Sequence, residues 1–150
     1  MARDRGSVSI MTLICMIAVT MFIALSVDGG GQIRDGQLAN EFASEAARAA
    51  GQRIDLQSAI AGNPAVVDKT SGCPTCQLPY IKAANDYIRT AEAEDNVSPD
   101  SVTVDVVSNT PNTVTVTVTI AYAPRLLTLF GFHKTLTSTG TATAVLVTTA

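Results

Sequence analysis

The sequence predicts an α+β protein in which a single N-terminal transmembrane helix continues into an Ala-rich helix, followed by a second helix and a small three-stranded antiparallel sheet. Three observations lead to this fold class. Residues 7–27 carry no charged side chain. Apolar residues recur at three- and four-residue spacing in two later segments, and the last third of the chain alternates with a period of two. About 120 residues follow the apolar segment, enough for one small domain.

The apolar segment is long enough to cross a membrane. A helix of these 21 residues, at about 1.5 Å per residue, reaches roughly 31 Å. Arg3 and Arg5 precede the segment, so the positive-inside rule places the N-terminus in the cytoplasm. The predicted organisation is a cytoplasmic N-terminus (1–6), a transmembrane helix (7–27) and an extracytoplasmic α+β domain (28–150) in a single-pass membrane protein.

A secretory signal peptide is the competing interpretation of the same segment. The apolar core of a signal peptide is normally about 7–15 residues long and ends at a small-x-small cleavage site. Here the core is longer, and Ala24-Leu25-Ser26 is a mediocre cleavage site. Cys15 lies in the middle of the core, which argues against a lipidated cysteine. The segment is therefore interpreted as an anchor.

Two helical segments follow the anchor. Three consecutive glycines at 29–31 predict a hinge or a locally melted stretch, because each costs about 1 kcal/mol in a helix relative to Ala. The spacing of apolar residues over about 32–50 then predicts a helix. Its apolar face is mostly Ala, so another helix or a sheet can approach it closely. Prolines and glycines make 62–79 a loop, and about 78–95 form the second helix.

The predicted loop carries Cys73 and Cys76 in a Cys-x-x-Cys pattern. The favoured interpretation is a local structural disulfide in an oxidising extracytoplasmic space. A thioredoxin-like redox pair is an alternative, although no strand of a βαβ unit precedes the helix. Half a zinc site is a further alternative, but His133 is the only histidine in the chain. The ring that a Cys-x-x-Cys disulfide closes is short and strained, so two free thiols remain an alternative to the disulfide.

Three strands are predicted at about 101–108, 113–123 and 135–148. In the first two, Val alternates with Thr or Asp, which predicts a half-buried antiparallel hairpin. The third strand places threonines on one face and small residues, including Gly140 and Ala142, on the other. Small residues on a sheet face indicate that a helix packs closely there, and the Ala-rich helix is the candidate.

An apolar cluster lies between the second and third predicted strands. One interpretation is a loop folded under the sheet as part of the core. The other is a patch that faces a partner or a membrane. The cluster, a candidate partner patch, consists of Leu126, Leu127, Leu129, Phe130 and Phe132.

Charge and motif content argue against several function classes. From Asp28 onwards there are twelve acidic and eight basic residues without a basic cluster, which argues against nucleic-acid binding. The run of glycines follows an apolar helix rather than a strand, so it is no nucleotide-binding loop. With a single histidine, a Ser/His/Asp set is not available. The expected protein is not an enzyme and has no cofactor, metal or small-molecule substrate.

Three stretches of the chain together resemble one known family: "RDRGSVSIMTLI", "VDGGGQIRDGQLANEFASEAARAAG" and the closing "VTVTVTIAYAPRLLTLFGFHKTLTSTGTATA". In these stretches the chain resembles the TadE/TadG-like proteins of the Tad (Flp) pilus system, in their short actinobacterial form. The resemblance covers most of the chain. It implies a type IV pilin-like plan and a structural, non-enzymatic role as a minor pilin, pseudopilin or pilus-assembly factor. Its partners would be the membrane and other pilin-like subunits. The alternatives are a membrane-tethered thiol oxidoreductase using the cysteine pair and a tethered binding domain with a non-pilus partner.

Two sets of site residues follow from this resemblance. Gly6 and Ser7 form the candidate prepilin-peptidase site, but Met11 stands where such substrates typically carry Glu. That carboxylate neutralises the new N-terminal amine of a neighbouring subunit inside an apolar filament. Without it, the sequence does not decide whether the chain is cleaved after Gly6 or inserted into a filament core. Small residues of the helices are the candidate contacts with other subunits. They are Thr20, Ala24, Ala43, Ala46 and Ala50.

Overall fold

The computed structural model describes residues 5–53, 55–62, 78–98, 101–110, 112–131 and 133–147. Its longest element is helix α1, Arg5–Gly51, which contains the apolar segment, the glycines and the Ala-rich segment in 47 continuous residues. The alternative of a melted stretch at the glycines is therefore wrong. Tertiary contacts described below hold the helix before, at and after these weak positions, and such contacts routinely override propensity.

Two further helices lie within the described residues. Helix α2, Leu56–Ile60, was not predicted; its N-cap Asp55 accepts a hydrogen bond from the amide of Gln57. Helix α3, Pro79–Glu94, confirms the second predicted helix. Pro79 occupies its first turn, where no intrahelical amide bond is needed. Asn96 follows its end in a left-handed conformation with φ 55°.

The three predicted strands are confirmed and form one antiparallel sheet. Strands β1 (Val102–Thr110), β2 (Thr113–Tyr122) and β3 (Leu136–Val145) are arranged in the order β1-β2-β3. The register places Val118 of the central strand opposite Val104 on one side and Gly140 on the other. The register shifts once, between Val107 and Thr110.

The two faces of the sheet are as different as the period-two pattern predicts. On the inner face, Val114, Val116, Val118 and Ile120 are buried. On the outer face, threonines of β2 and β3 stand in cross-strand pairs. Their hydroxyl oxygens lie 3.0 Å apart in Thr115–Thr143, 3.4 Å apart in Thr117–Thr141 and 3.3 Å apart in Thr119–Thr139.

The Ala-rich half of α1 packs on the inner face, as the small residues of β3 predict. Gly140 lies directly against the helix, since a Cβ there would overlap the backbone of Ala39 and Asn40. Helix α3 adds Tyr80, Ala84, Ile88 and Ala91 to the same core. The buried residues that α1 contributes to it are Ala39, Phe42, Ala43, Ala46, Ala47 and Ala50. The core thus lies between two helices and one sheet face.

Candidate functional site: the apolar half of α1 and the Asp28 junction

The N-terminal half of α1 exposes apolar side chains on all sides. From residue 9 to residue 27 every position is exposed except Ala24. Met11, Met16 and Phe22 are 70%, 67% and 73% exposed, so the chain leaves most of the surface of this half uncovered. A helix that is apolar all round is stable only when a membrane or other helices surround it. By length and composition α1 is suited to cross a membrane.

Hydroxyl side chains in this half bond back to the helix. Thr20 Oγ1 donates to the carbonyl oxygens of Met16, at 2.7 Å, and Ile17, at 3.0 Å. Ser26 Oγ donates to the carbonyl oxygen of Phe22 at 2.9 Å. Hydroxyl groups that are satisfied in this way are tolerated in an apolar environment. These residues therefore do not interrupt the apolar surface.

Asp28, the first charged residue after the apolar segment, is buried with 1% of its surface exposed. Its carboxylate accepts four close hydrogen bonds from the last residue of β2 and from the residues that follow the strand. Oδ1 accepts from the Tyr122 hydroxyl and the Arg125 amide, both at 3.1 Å. Oδ2 accepts from the amides of Leu126 at 3.0 Å and Leu127 at 2.7 Å. Successive backbone amides that point at one anion form a nest, and this pairing makes burial of the charge tolerable.

Tyr122 contacts α1 at two places. Its hydroxyl donates to Asp28, and its ring lies over Gly31, where a Cβ would come within 2.6 Å of the Tyr122 oxygen. Burial raises the pKa of Tyr122, and the hydrogen bond to Asp28 and the charge of that carboxylate raise it further. The phenol therefore stays protonated at neutral pH and keeps donating. A Cβ at residue 31 would force the Tyr122 ring to shift away from the helix.

A third contact ties the same part of α1 to β3. Ser138 Oγ donates to the carbonyl oxygen of Gln32 at 3.3 Å. Residues 28–32 of the helix are thus held by β2, by the residues after β2 and by β3. We call this set of contacts the Asp28 junction. It spans the three glycines and joins this part of α1 to the sheet.

The described members of the predicted apolar cluster are not part of the buried core, and three of them lie beside the apolar half of α1. Residues 125–131, here called the β2–β3 turn, contain a 3₁₀ helix at Leu127–Phe130 that Gly131 ends with φ 87°. The interpretation of the cluster as sheet core is therefore wrong. Three of its members line an apolar groove together with three residues of α1. The groove is formed by Leu126, Leu129, Phe130, Thr20, Ile23 and Ala24.

The candidate helix-packing residues fall into two groups. Ala43, Ala46 and Ala50 are fully buried in the core of the domain, so in this structure their small side chains serve packing within the chain. Ala24 is 3% exposed because the β2–β3 turn covers it, whereas Thr20 is exposed.

The remaining predicted site residues are distributed over the N-terminus and the cysteine loop. Gly6 and Ser7 lie in the first turns of α1. Cys73, Cys76 and Phe132 lie outside the described residues. Cys15 is an exposed free cysteine. Within the described part of the chain, no group of three or more His, Cys, Asp or Glu side chains could hold a metal ion.

The Asp28 junction was not predicted from the sequence. Two signals for it were present: Asp28 is the first charged residue after the apolar segment, and the alternation of β2 places Tyr122 on the face of Val118 and Ile120. Neither signal identifies the partner, because the contacts join positions more than 90 residues apart.

The fold and this junction define a class of protein: an α+β domain built on the C-terminal half of a helix that is long and apolar enough to cross a membrane. Comparison of the chain with protein-family models, with curated proteins and with solved structures finds no match in any of the three.

Proposed function

We propose that the protein is a minor pilin, or pseudopilin, or assembly factor of a Tad (Flp) type IV pilus-like system, with a structural role and no catalytic activity. The observation that carries the proposal is the division of α1. One continuous helix exposes apolar side chains over residues 9–27 and packs an Ala-rich face under an antiparallel sheet over residues 39–50. This is the arrangement that a subunit needs when it sits in a membrane and also packs by its helix into an assembly.

The topology follows from the charges at the two ends of the apolar segment. Arg3 and Arg5 stay in the cytoplasm by the positive-inside rule, and the helix crosses the membrane over residues 7–27. The domain from residue 28 onwards is then extracytoplasmic. With this topology the Asp28 junction lies at the outer surface of the membrane. It fixes the orientation of the sheet domain relative to the transmembrane helix.

Lateral packing of the anchor with other pilin-like helices would use the side chains that the chain leaves uncovered. Thr20 is exposed and satisfies its own hydroxyl, so another helix can approach it closely. Ala24 is occupied by the β2–β3 turn. Contacts between subunits therefore belong to the exposed positions within residues 9–23.

Processing after Gly6 decides between the two forms of the proposal. Cleavage there would leave Ser7 as the N-terminus of a subunit that can enter a filament. At the fifth position Met11 is 70% exposed and offers no carboxylate to a neighbour's amine. An uncut chain fits a membrane-retained assembly factor better.

Deletion of the gene in the cell that makes the protein tests the proposal. We expect the surface pili collected by shearing to be lost or strongly reduced, and to return when the wild-type chain is supplied. Pili of normal number and length in the deletion strain would overturn the assignment. As a control, the deletion strain is supplied with the Thr139→Val variant instead of the wild-type chain. This substitution changes only the outer face of the sheet and should restore pili fully.

A further inference from the structure

The β2–β3 turn lies alongside the last two turns of the apolar segment. Leu126, Leu129 and Phe130 share one groove with Thr20, Ile23 and Ala24 of α1. Thr20 precedes Asp28 by eight residues, about 12 Å along a helix axis. The Asp28 junction thus holds the turn on the anchor side of the first charged residue. If residues 7–27 lie in a bilayer, the turn cannot lie wholly in water.

The surface of the turn continues the surface of the anchor. Leu129 is 79% exposed and Phe130 is 37% exposed, next to Ile23 at 55% and Leu25 at 57%. An apolar patch of this kind on a soluble domain would favour aggregation. Here it joins a helix that already needs an apolar environment, so one surrounding medium covers both.

Five backbone amides of the turn have hydrogen-bond acceptors within the chain. The amides of Arg125, Leu126 and Leu127 donate to the Asp28 carboxylate. The Leu129 amide donates to the Leu126 carbonyl oxygen at 3.1 Å, and the Gly131 amide to that of Thr128 at 3.0 Å. Within the hydrocarbon core, irregular backbone is tolerated only where protein covers it. The turn is therefore suited to the boundary between headgroups and acyl chains, where its apolar side chains insert and its bonded amides lower the cost of leaving water.

Positively charged side chains flank the apolar residues of the turn. Arg125 precedes the apolar residues and Lys134 follows them, both exposed. No Asp or Glu occurs after Asp105, although the chain as a whole has a net charge of −3. Cations on both sides of an apolar wedge match a membrane surface, where they contact phosphate groups while the wedge contacts acyl chains.

We propose that the β2–β3 turn is a second membrane-contacting element, which inserts Leu126, Leu129 and Phe130 among the acyl chains of the outer leaflet beside the anchor. Its occupant is lipid, with anionic headgroups at Arg125 and Lys134. This rests on the membrane anchoring in the proposed function. The insertion keeps the sheet domain flush with the membrane, so that extraction of the subunit requires removal of the turn as well as the helix.

The absence of tryptophan from the chain allows a clean test. Three single-tryptophan variants of the full chain, Phe22→Trp, Leu129→Trp and Val107→Trp, are placed one molecule per nanodisc of phosphatidylcholine and phosphatidylglycerol. All three positions are exposed, at 73%, 79% and 43%, so the substitutions leave the core intact. Fluorescence is compared between ordinary lipids and lipids brominated on the acyl chains. Phe22→Trp reports the anchor, Leu129→Trp the turn, and Val107→Trp the sheet domain.

We expect bromination to quench Leu129→Trp to an extent comparable with Phe22→Trp, while Val107→Trp keeps its fluorescence. Quenching of Phe22→Trp without quenching of Leu129→Trp overturns the insertion of the turn and leaves the anchor standing; a blue-shifted but unquenched Leu129→Trp would indicate a protein contact instead. Absence of quenching in Phe22→Trp overturns the membrane anchor and the inference together.

Discussion

The two halves of α1 are parts of one helix with opposite surroundings. Over residues 39–50 the chain buries its own alanines under the sheet, and over residues 9–27 it leaves large apolar side chains uncovered. The difference lies in side-chain size. Small residues allow a sheet to approach to backbone contact, as at Gly140, whereas the larger side chains of the first half suit a medium that adapts its shape. The Asp28 junction marks the boundary.

The largest effect is expected where the helix and the sheet approach most closely. Gly140→Val should destabilise the domain by about 3 kcal/mol or more, because the new side chain overlaps the backbone of α1 at Ala39. Chemical unfolding of the full chain in detergent measures this. The matched control is Thr141→Val, whose side chain points to the outer face. Equal unfolding midpoints for the two variants would contradict the packing of α1 on β3.

The next largest effect is expected at the boundary between the halves. Asp28→Ala removes the acceptor for the amides of residues 125–127, which are then left without a partner. Hydrogen exchange of these amides should become much faster, with little change in β1. Asp35→Ala, a carboxylate two helical turns further on without a hydrogen bond to the turn, is the control. Unchanged protection of residues 125–127 in Asp28→Ala would show that the junction does not hold the turn.

The glycines between the halves provide a matched pair of substitutions. Nothing lies within 4 Å of a Cβ at Gly30, so Gly30→Ala should stabilise α1 by about 1 kcal/mol. Gly31→Ala should destabilise the protein by about 1–3 kcal/mol instead, since Tyr122 has to move away from Asp28. Thermal unfolding of both variants decides the point. If both stabilise equally, the ring of Tyr122 does not rest on the helix.

The smallest effect is expected from Glu92, a buried carboxyl on α3. Burial raises its pKa above the usual value, while the charge of Arg89 lowers it less. The folded state therefore binds its proton more tightly than the unfolded state. The contribution to stability is full below the unfolded pKa of about 4.5 and is lost as pH rises through the folded pKa.

Glu92→Gln should consequently be slightly more stable than the wild type at neutral pH and equally stable in acid. Thermal unfolding across this pH range measures the difference, with the exposed Glu94→Gln as the control. A wild type that is more stable than Glu92→Gln at neutral pH would show that the ionised Glu92 carboxylate stabilises the fold, which contradicts this prediction.

Much of this fold could be predicted because its patterns are local. The period-two run over β2 and the helical spacing in α3 predict the elements, and the small residues of β3 predict the helix on its inner face. The continuity of α1 through residues 29–31 could not be predicted, because propensity favours a break and the contacts that prevent it come from Tyr122 and Ser138. The position of Leu126, Leu129 and Phe130 beside the apolar half of α1 could not be predicted for the same reason, because Asp28 binds this turn from a distant place in the chain.

The central claim is that the apolar half of α1 remains part of the mature protein and continues through the Asp28 junction into the sheet domain. Mass spectrometry of the N-terminus of the protein isolated from its native cell envelope tests it most directly. The account predicts a chain that begins at Ser7 or at the unprocessed start. A mature chain that begins at Val27 would contradict it, because the anchor would then have been removed.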